Sequence, residues 1–184
     1  MADFNKSMQI LKRLEFSDDK TVLHKNKNES GLTYYGIYEG ANPHWSHWSY
    51  IHDIIRQSPS LSVASRTLYA NKELEVAVYS LYKARYWDKI QLNRLHSQRM
   101  ADELFIFGVN AGVLNAARLA QKLLGIKRDG IVGEATIKAL NSYDEAKFNI
   151  EFDEAEIAFY SKLINANPKL KIYANGWRNR ALAV

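Results

Sequence analysis

The chain has no cysteine, only three prolines and nine glycines, and no long uninterrupted apolar run. Without cysteine there is no disulfide framework, no thiolate nucleophile and no cysteine-bound metal. Few prolines, with no repeat or low-complexity segment, leave room only for short linkers. The amino-terminal MADFNKSMQILKRLEF is amphipathic and lacks the apolar stretch of about 7–15 residues that marks a secretory signal, so synthesis in the cytoplasm is expected. GxSxG, P-loop and GxGxxG patterns are also missing, which removes motif support for acyl transfer through a nucleophile elbow and for nucleotide binding.

What remains is an ordinary globular composition. The 184 residues are 47% hydrophobic and 24% charged, enough to bury a core. Lys and Arg exceed Asp and Glu by 25 to 20, and the formal charge of +5 favours polyanionic partners such as walls, membrane surfaces or nucleic acid. The basic residues are dispersed rather than gathered on one helix, and no nucleic-acid-binding motif accompanies them, so nucleic acid is not an expected partner.

The organising stretch is residues 100–140. No charge falls between Glu103 and Arg118, and small residues (Gly108, Ala111, Gly112, Ala116) alternate with Leu104, Phe105, Val109 and Val113. This predicts one buried helix stopped at Gly125, its uncharged run too short for the roughly 20 residues of a bilayer span. Stable membrane insertion is therefore not expected. A glycine-pinned turn, KRDGIVG, leads to a helix carrying Thr136, Ile137 and Leu140. That turn could meet a glycan or peptide stem, but its glycines already have a backbone explanation, which is the favoured reading.

Upstream, Asp3 is a candidate cap for a helix with Phe4, Met8 and Leu11 on one side and Glu15 at its end. Residues 17–31 read as a polar surface loop, and LTYYGIY as a small strand or extended lip. His44, His47 and His52 have spacing that a metal would accept, but with no cysteine and no HExxH the reading is no metal and no cofactor. The neighbouring Trp45, Trp48 and Tyr50 divide between core and groove wall. Asn71 caps a helix running from Lys72 to about Trp87, whose aromatic stripe (Tyr79, Tyr82, Tyr86, Trp87) suits either core packing or a sugar cleft. Asp153 followed by Glu156 resembles a capping box for a helix over 154–164. The sum is a mostly α protein of about six or seven helices with at most a small β element.

Carboxylates are the remaining route to chemistry. Glycoside hydrolysis needs an acid kept protonated near neutral pH by apolar surroundings, and often a second carboxylate. Glu15 lies between Leu14 and Phe16, before a loop holding Asp18, Asp19 and Glu29. Taken alone, a glutamate at a helix end is more often simply solvated.

The order of motifs adds to this. Glu15 falls where an E-G-G-Y motif has its glutamate; Gly31, Thr33, Gly36 and Ile37 fit D-x-G-G-x-T-x-x-G-I; Tyr86, Trp87 and Asp88 fit Y-W-D; Asn110 and Gly112 fit N-x-G. Gln121, Asp129, Gly130, Gly133 and Thr136, then Gly176, Trp177 and Arg178, fit the pattern of a peptidoglycan domain. The chain resembles, over nearly its whole length, the small muramidases of glycoside hydrolase family 108 with their accompanying peptidoglycan-binding domain. It departs from the pattern at Phe16, Ser17 and Asp18 after the glutamate, and at Asn28 and Ser30 in the second motif.

The resemblance implies a lysozyme-like helical fold around a buried central helix. It also implies cleavage of the β-1,4 bond between N-acetylmuramic acid and N-acetylglucosamine in peptidoglycan. Glu15 would be the general acid, Thr33 a water-positioning hydroxyl, and Glu29, Asp18 or Asp19 a helping carboxylate. Tyr34, Tyr35, Tyr86, Trp87 and Asn110 are the candidate glycan contacts, with core packing the alternative for the aromatics. Residues 1–95 would be the muramidase region and 96–184 the peptidoglycan-binding region, packed as one unit. The implied setting is bacterial lysis of the endolysin kind, with a holin-like route from cytoplasm to wall. A non-catalytic peptidoglycan-binding or wall-remodelling accessory is the alternative.

Overall fold

The computed structural model describes every residue except Ser17 and Asn28, two of the altered motif positions, which lie outside the described residues. It is mostly α and lysozyme-like. Among the described residues there are nine α-helices and one small sheet, and the chain divides into two compact units, residues 11–82 and residues 1–10 with 83–184.

In the unit of residues 11–82, the end of α1 (Phe4–Glu15) leads to a three-stranded antiparallel sheet, β1 (Leu23–His24), β2 (Thr33–Tyr34) and β3 (Ile37–Tyr38), in that spatial order. Thr33 pairs with Tyr38 and Tyr34 with Ile37 across a two-residue turn, Tyr35–Gly36, in which both residues have positive φ (47° and 70°). That geometry matches the twist of the flanking strands. Helices α2 (Trp48–Gln57), α3 (Leu61–Tyr69) and α4 (Lys72–Tyr82) follow. The Ser60 hydroxyl caps α3 through the Val63 N–H, and Asn71 caps α4 by accepting from the Leu74 N–H at 2.9 Å. The expected helix to Trp87 ends at Tyr82, where the chain opens into a π turn over Lys83–Trp87. Helices α2 and α3 are additions that the aromatic and histidine cluster did not announce.

The other unit is built on α5 (Gln98–Ala111), whose residues from Met100 to Gly108 are all buried. The single long helix expected here is two: Gly112, at φ 91°, breaks it, and α6 (Val113–Leu123) continues in a new direction. Within this bent pair a Cβ at Gly108 would stand in ordinary van der Waals contact with Ala116 and Val113. Trp87 packs edge-on against Phe4 and Phe105, at centroid distances of 5.7 and 5.9 Å. Asp102 accepts hydrogen bonds from Ser7 and, at 2.7 Å, from Gln98, which fastens the start of α1 to α5.

After the glycine-pinned turn come α7 (Glu134–Ser142), α8 (Glu145–Ala166) and α9 (Ala174–Ala181). Helix α8 starts nine residues before the expected position of Glu154. Its cap is Asp144, which accepts from the Lys147 N–H at 2.7 Å, while Asp153 and Glu156 sit inside the helix with Glu156 buried. Among the described residues no helix is long and apolar enough to cross a membrane.

Candidate active site

Glu15 is the last residue of α1 and is exposed. Two contacts fix the end of that helix within its unit. Lys12 forms an ion pair with Glu75 of α4 and lies 4.8 Å above the Tyr69 ring. Immediately after Glu15, Phe16 is buried against Tyr35 (5.1 Å between centroids) and Tyr82 (6.2 Å). A glutamate at a helix end is thus brought beside the β2–β3 hairpin by the aromatic residue that replaces a motif glycine.

The hairpin holds the second group. Thr33, buried at the start of β2, donates its hydroxyl to the Glu29 carboxylate at 3.4 Å, and the Asn26 amide donates to the same oxygen at 3.0 Å. A hydroxyl and a carboxylate are therefore juxtaposed, with Glu29 half-exposed. Asp18 is exposed and accepts from the Lys20 N–H and the Thr21 hydroxyl, which hold it below the usual carboxylate range. It stays ionised and suits electrostatic work rather than proton donation.

A pair that no motif announced lies at the open end of the hairpin, next to Thr33. Glu39 accepts from His52 at 2.8 Å and from the Leu32 N–H at 3.0 Å, while its own N–H donates to the Leu32 carbonyl. Burial alone would raise its pKa, but these donors outweigh burial and hold the carboxyl below its ordinary range. Glu39 thereby staples the strand ends and leaves His52 engaged. His47 leans on Trp45 at 5.0 Å. Among the described residues no group of three His, Asp or Glu side chains is placed to hold a metal.

The candidate glycan contacts separate by burial. Tyr34 and Tyr35 have no exposed surface and Trp87 is 1% exposed, so in this structure their rings meet protein. Tyr34 donates to the Leu68 carbonyl at 3.0 Å, and Tyr35 stacks on Tyr69. Tyr86 is half-buried. Asn110 is exposed and donates to the Tyr160 hydroxyl at 2.5 Å.

In the turn after α6, Gln121 is the hub. Its carbonyl accepts from the Gly130 N–H at 2.8 Å, and its amide donates to Asp129, the Ile131 carbonyl and Thr136. Gln121, Asp129, Gly130 and Thr136 therefore share one hydrogen-bond network, centred on the buried Gln121, that sets the turn. A cleft of about 290 Å³ opens beside it, between Ile126, Ile131 and the start of α7.

Comparison with known families decides what this arrangement belongs to. Residues 21–112, half of the chain, match the family described as Glycosyl hydrolase 108. The chain belongs to that family. A second match, to the Predicted Peptidoglycan domain, covers residues 115–182. The two matches meet at the Gly112 break between α5 and α6, and Glu15 lies just ahead of the first. This member of the Glycosyl hydrolase 108 family is thus a glycoside hydrolase of the lysozyme type joined to a peptidoglycan domain, a peptidoglycan hydrolase whose place of action is the cell wall. Among solved structures, that titled "Structure of Brucella abortus SagA" has a similar fold, with a TM-score of 0.63 at 21% identity over 98% of this chain and 94% of that one. Among curated protein sequences, none matches.

Proposed function

We propose that this hydrolase is an N-acetylmuramidase, cleaving the β-1,4 bond between N-acetylmuramic acid and N-acetylglucosamine with Glu15 as general acid. The observation that carries the reading is the Thr33 hydroxyl resting on the Glu29 carboxylate, in the unit that also holds the end of α1. Glu29 and Thr33 together can hold and polarise a water, the task of the second group in glycoside hydrolysis. Glu15 is exposed in the free protein, so the proton must be retained by desolvation when the glycan covers it. Residues 1–95 carry cleavage in this reading, and residues 96–184 hold the wall. Lysis of the endolysin kind, following a holin-like membrane lesion, is the setting that fits.

The test is release of new reducing ends from purified peptidoglycan, with mass identification of the fragments, for the wild type and for Glu15→Gln. The swap keeps the size and removes the acid. Muramic acid reducing ends from the wild type, falling at least about 100-fold in a folded variant, are expected, as general acid catalysis contributes about 10²–10⁴-fold. Undiminished turnover in Glu15→Gln would move the acid to Glu29 or Asp19. Wall binding without release by the wild type would replace cleavage with an accessory role.

A further inference from the structure

The charge excess of the chain has a location. Residues 157–184 contain Lys162, Lys169, Lys171, Arg178 and Arg180 and no acidic residue, which equals the whole formal charge of +5. Within this segment a cleft of about 240 Å³ opens between α8 and α9. Its walls are Ile157, Tyr160 and Ile164 of α8, at helical spacing on one face, and its polar rim is Ser161, Asn175 and Arg178. Ser161 spends its proton on the Ile157 carbonyl at 2.8 Å. Asn175 and Arg178 make no side-chain hydrogen bond or ion pair among the described residues, and both are exposed.

The cleft is held rigidly from behind. Trp177, next to Arg178, stacks on Tyr160 with centroids 4.6 Å apart and planes 17° from parallel, and Tyr173 leans on it at 5.7 Å. Tyr160 is fixed in turn by Asn110 at the end of α5. The sequence pattern Gly-Trp-x-Arg thus has a division of labour, in which the tryptophan seats α9 on α8 and the arginine is left facing solvent at the rim. A site of this size is below the roughly 300–1,000 Å³ that encloses a whole small ligand, so it takes the end of a longer one. Apolar walls, an amide and an uncommitted guanidinium suit a short peptide ending in a carboxylate, which a guanidinium binds in bidentate fashion.

We propose that the α8–α9 cleft binds the carboxylate-bearing peptide stem of peptidoglycan, with Arg178 and Asn175 as the carboxylate donors and Ile157 and Ile164 against the side-chain methyls. This rests on the reading of the wall as substrate but not on cleavage. It gives the carboxy-terminal region a role separate from the glycan: it engages the peptide while the other residues engage the sugar.

The probe is the free stem tetrapeptide L-Ala-γ-D-Glu-L-Lys-D-Ala, titrated into the full chain by calorimetry and by amide chemical-shift mapping. Saturable binding with shifts at Ser161, Asn175 and Arg178 is expected. Arg178→Ala should raise Kd at least tenfold, Asn175→Ala less, and Arg178→Lys should recover part of the loss; the same peptide with its carboxylates amidated should bind as weakly as to Arg178→Ala. Melting curves of the variants serve as the folding control, and Asn175→Ala provides an independent lesion. No saturable binding to the wild type, equal Kd in Arg178→Ala, or indifference to amidation would overturn the proposal. Reducing-end release measured in parallel separates the two readings: peptide binding with no glycan cleavage leaves this site standing and removes the muramidase, while cleavage with no peptide binding does the reverse.

Discussion

Tyr35 concentrates the competition between packing and function in one side chain. Its ring is wholly buried, its hydroxyl is buried with no hydrogen-bond partner among the described residues, and burial drives its pKa upward. A buried hydroxyl without a partner loses its hydration and gains nothing in return. Tyr35→Phe should therefore be neutral or stabilise by up to about 1–2 kcal/mol, read from urea denaturation, with the KM for peptidoglycan unchanged. A rise in KM without loss of stability would instead mean that the hydroxyl reaches the glycan. Motif order put Tyr35 beside Thr33, because sequence neighbours in a hairpin stay neighbours. It could not say which way the ring faces, since Phe16, Tyr69 and Tyr82, which enclose it, come from three other elements.

The turn between α6 and α7 shows what an element needs beyond its glycines. Gln121 is 1% exposed and accepts from the Gly130 N–H, while Gly130 itself sits at φ 80°. A Cβ there would also run into the side chain of Leu114. Gln121→Leu, similar in size, leaves the Gly130 N–H without its acceptor and should cost about 1–3 kcal/mol in urea denaturation. It should leave reducing-end release unchanged below the melting temperature. A variant as stable as wild type would mean that the turn holds itself. The caps of α1 and α4 and this turn were legible because they depend on residues a few positions apart: the Asn5 N–H meets Asp3 at 2.8 Å, and the Leu74 N–H meets Asn71. The start of α8 was not. Asp153 and Glu156 have capping spacing, yet Asp144 took the role, and the next helical turns continued over both.

At the scale of the molecule, those displaced acids set the pH response. Burial pushes Glu103 up to about 9, aided by Asp153 and opposed by Arg99, and burial pushes Glu156 up to about 9, aided by Glu103 and Asp153. Asp153 is raised to about 6, again by burial and against Arg99. For each group the folded state keeps its proton at pH values where the unfolded chain has lost it. Stability is therefore greatest below the unfolded values near 4.5 for glutamate, and falls as pH rises towards about 9. The melting temperature should drop by at least about 5 °C between pH 5 and 8, as about 1 kcal/mol corresponds to about 2–4 °C at this size. Glu103→Gln and Glu156→Gln should each flatten that slope. A flat wild-type profile would show that these carboxyls ionise at no cost.

By itself the sequence determined what short range can determine: the caps of α1 and α4, the extended segment over LTYYGIY, the glycine turn, the mostly α class, and the motif order that marks a peptidoglycan hydrolase. Each is written in residues close along the chain, where backbone preference and local hydrogen bonds act. Only the tertiary structure decided the burial of Tyr34, Tyr35 and Trp87, the Glu39–His52 staple, and the exposure of Arg178 beside a seated Trp177. In each case the deciding partner lies on another element, so the outcome depends on what surface arrives opposite the residue, and spacing along one helix or strand does not encode that.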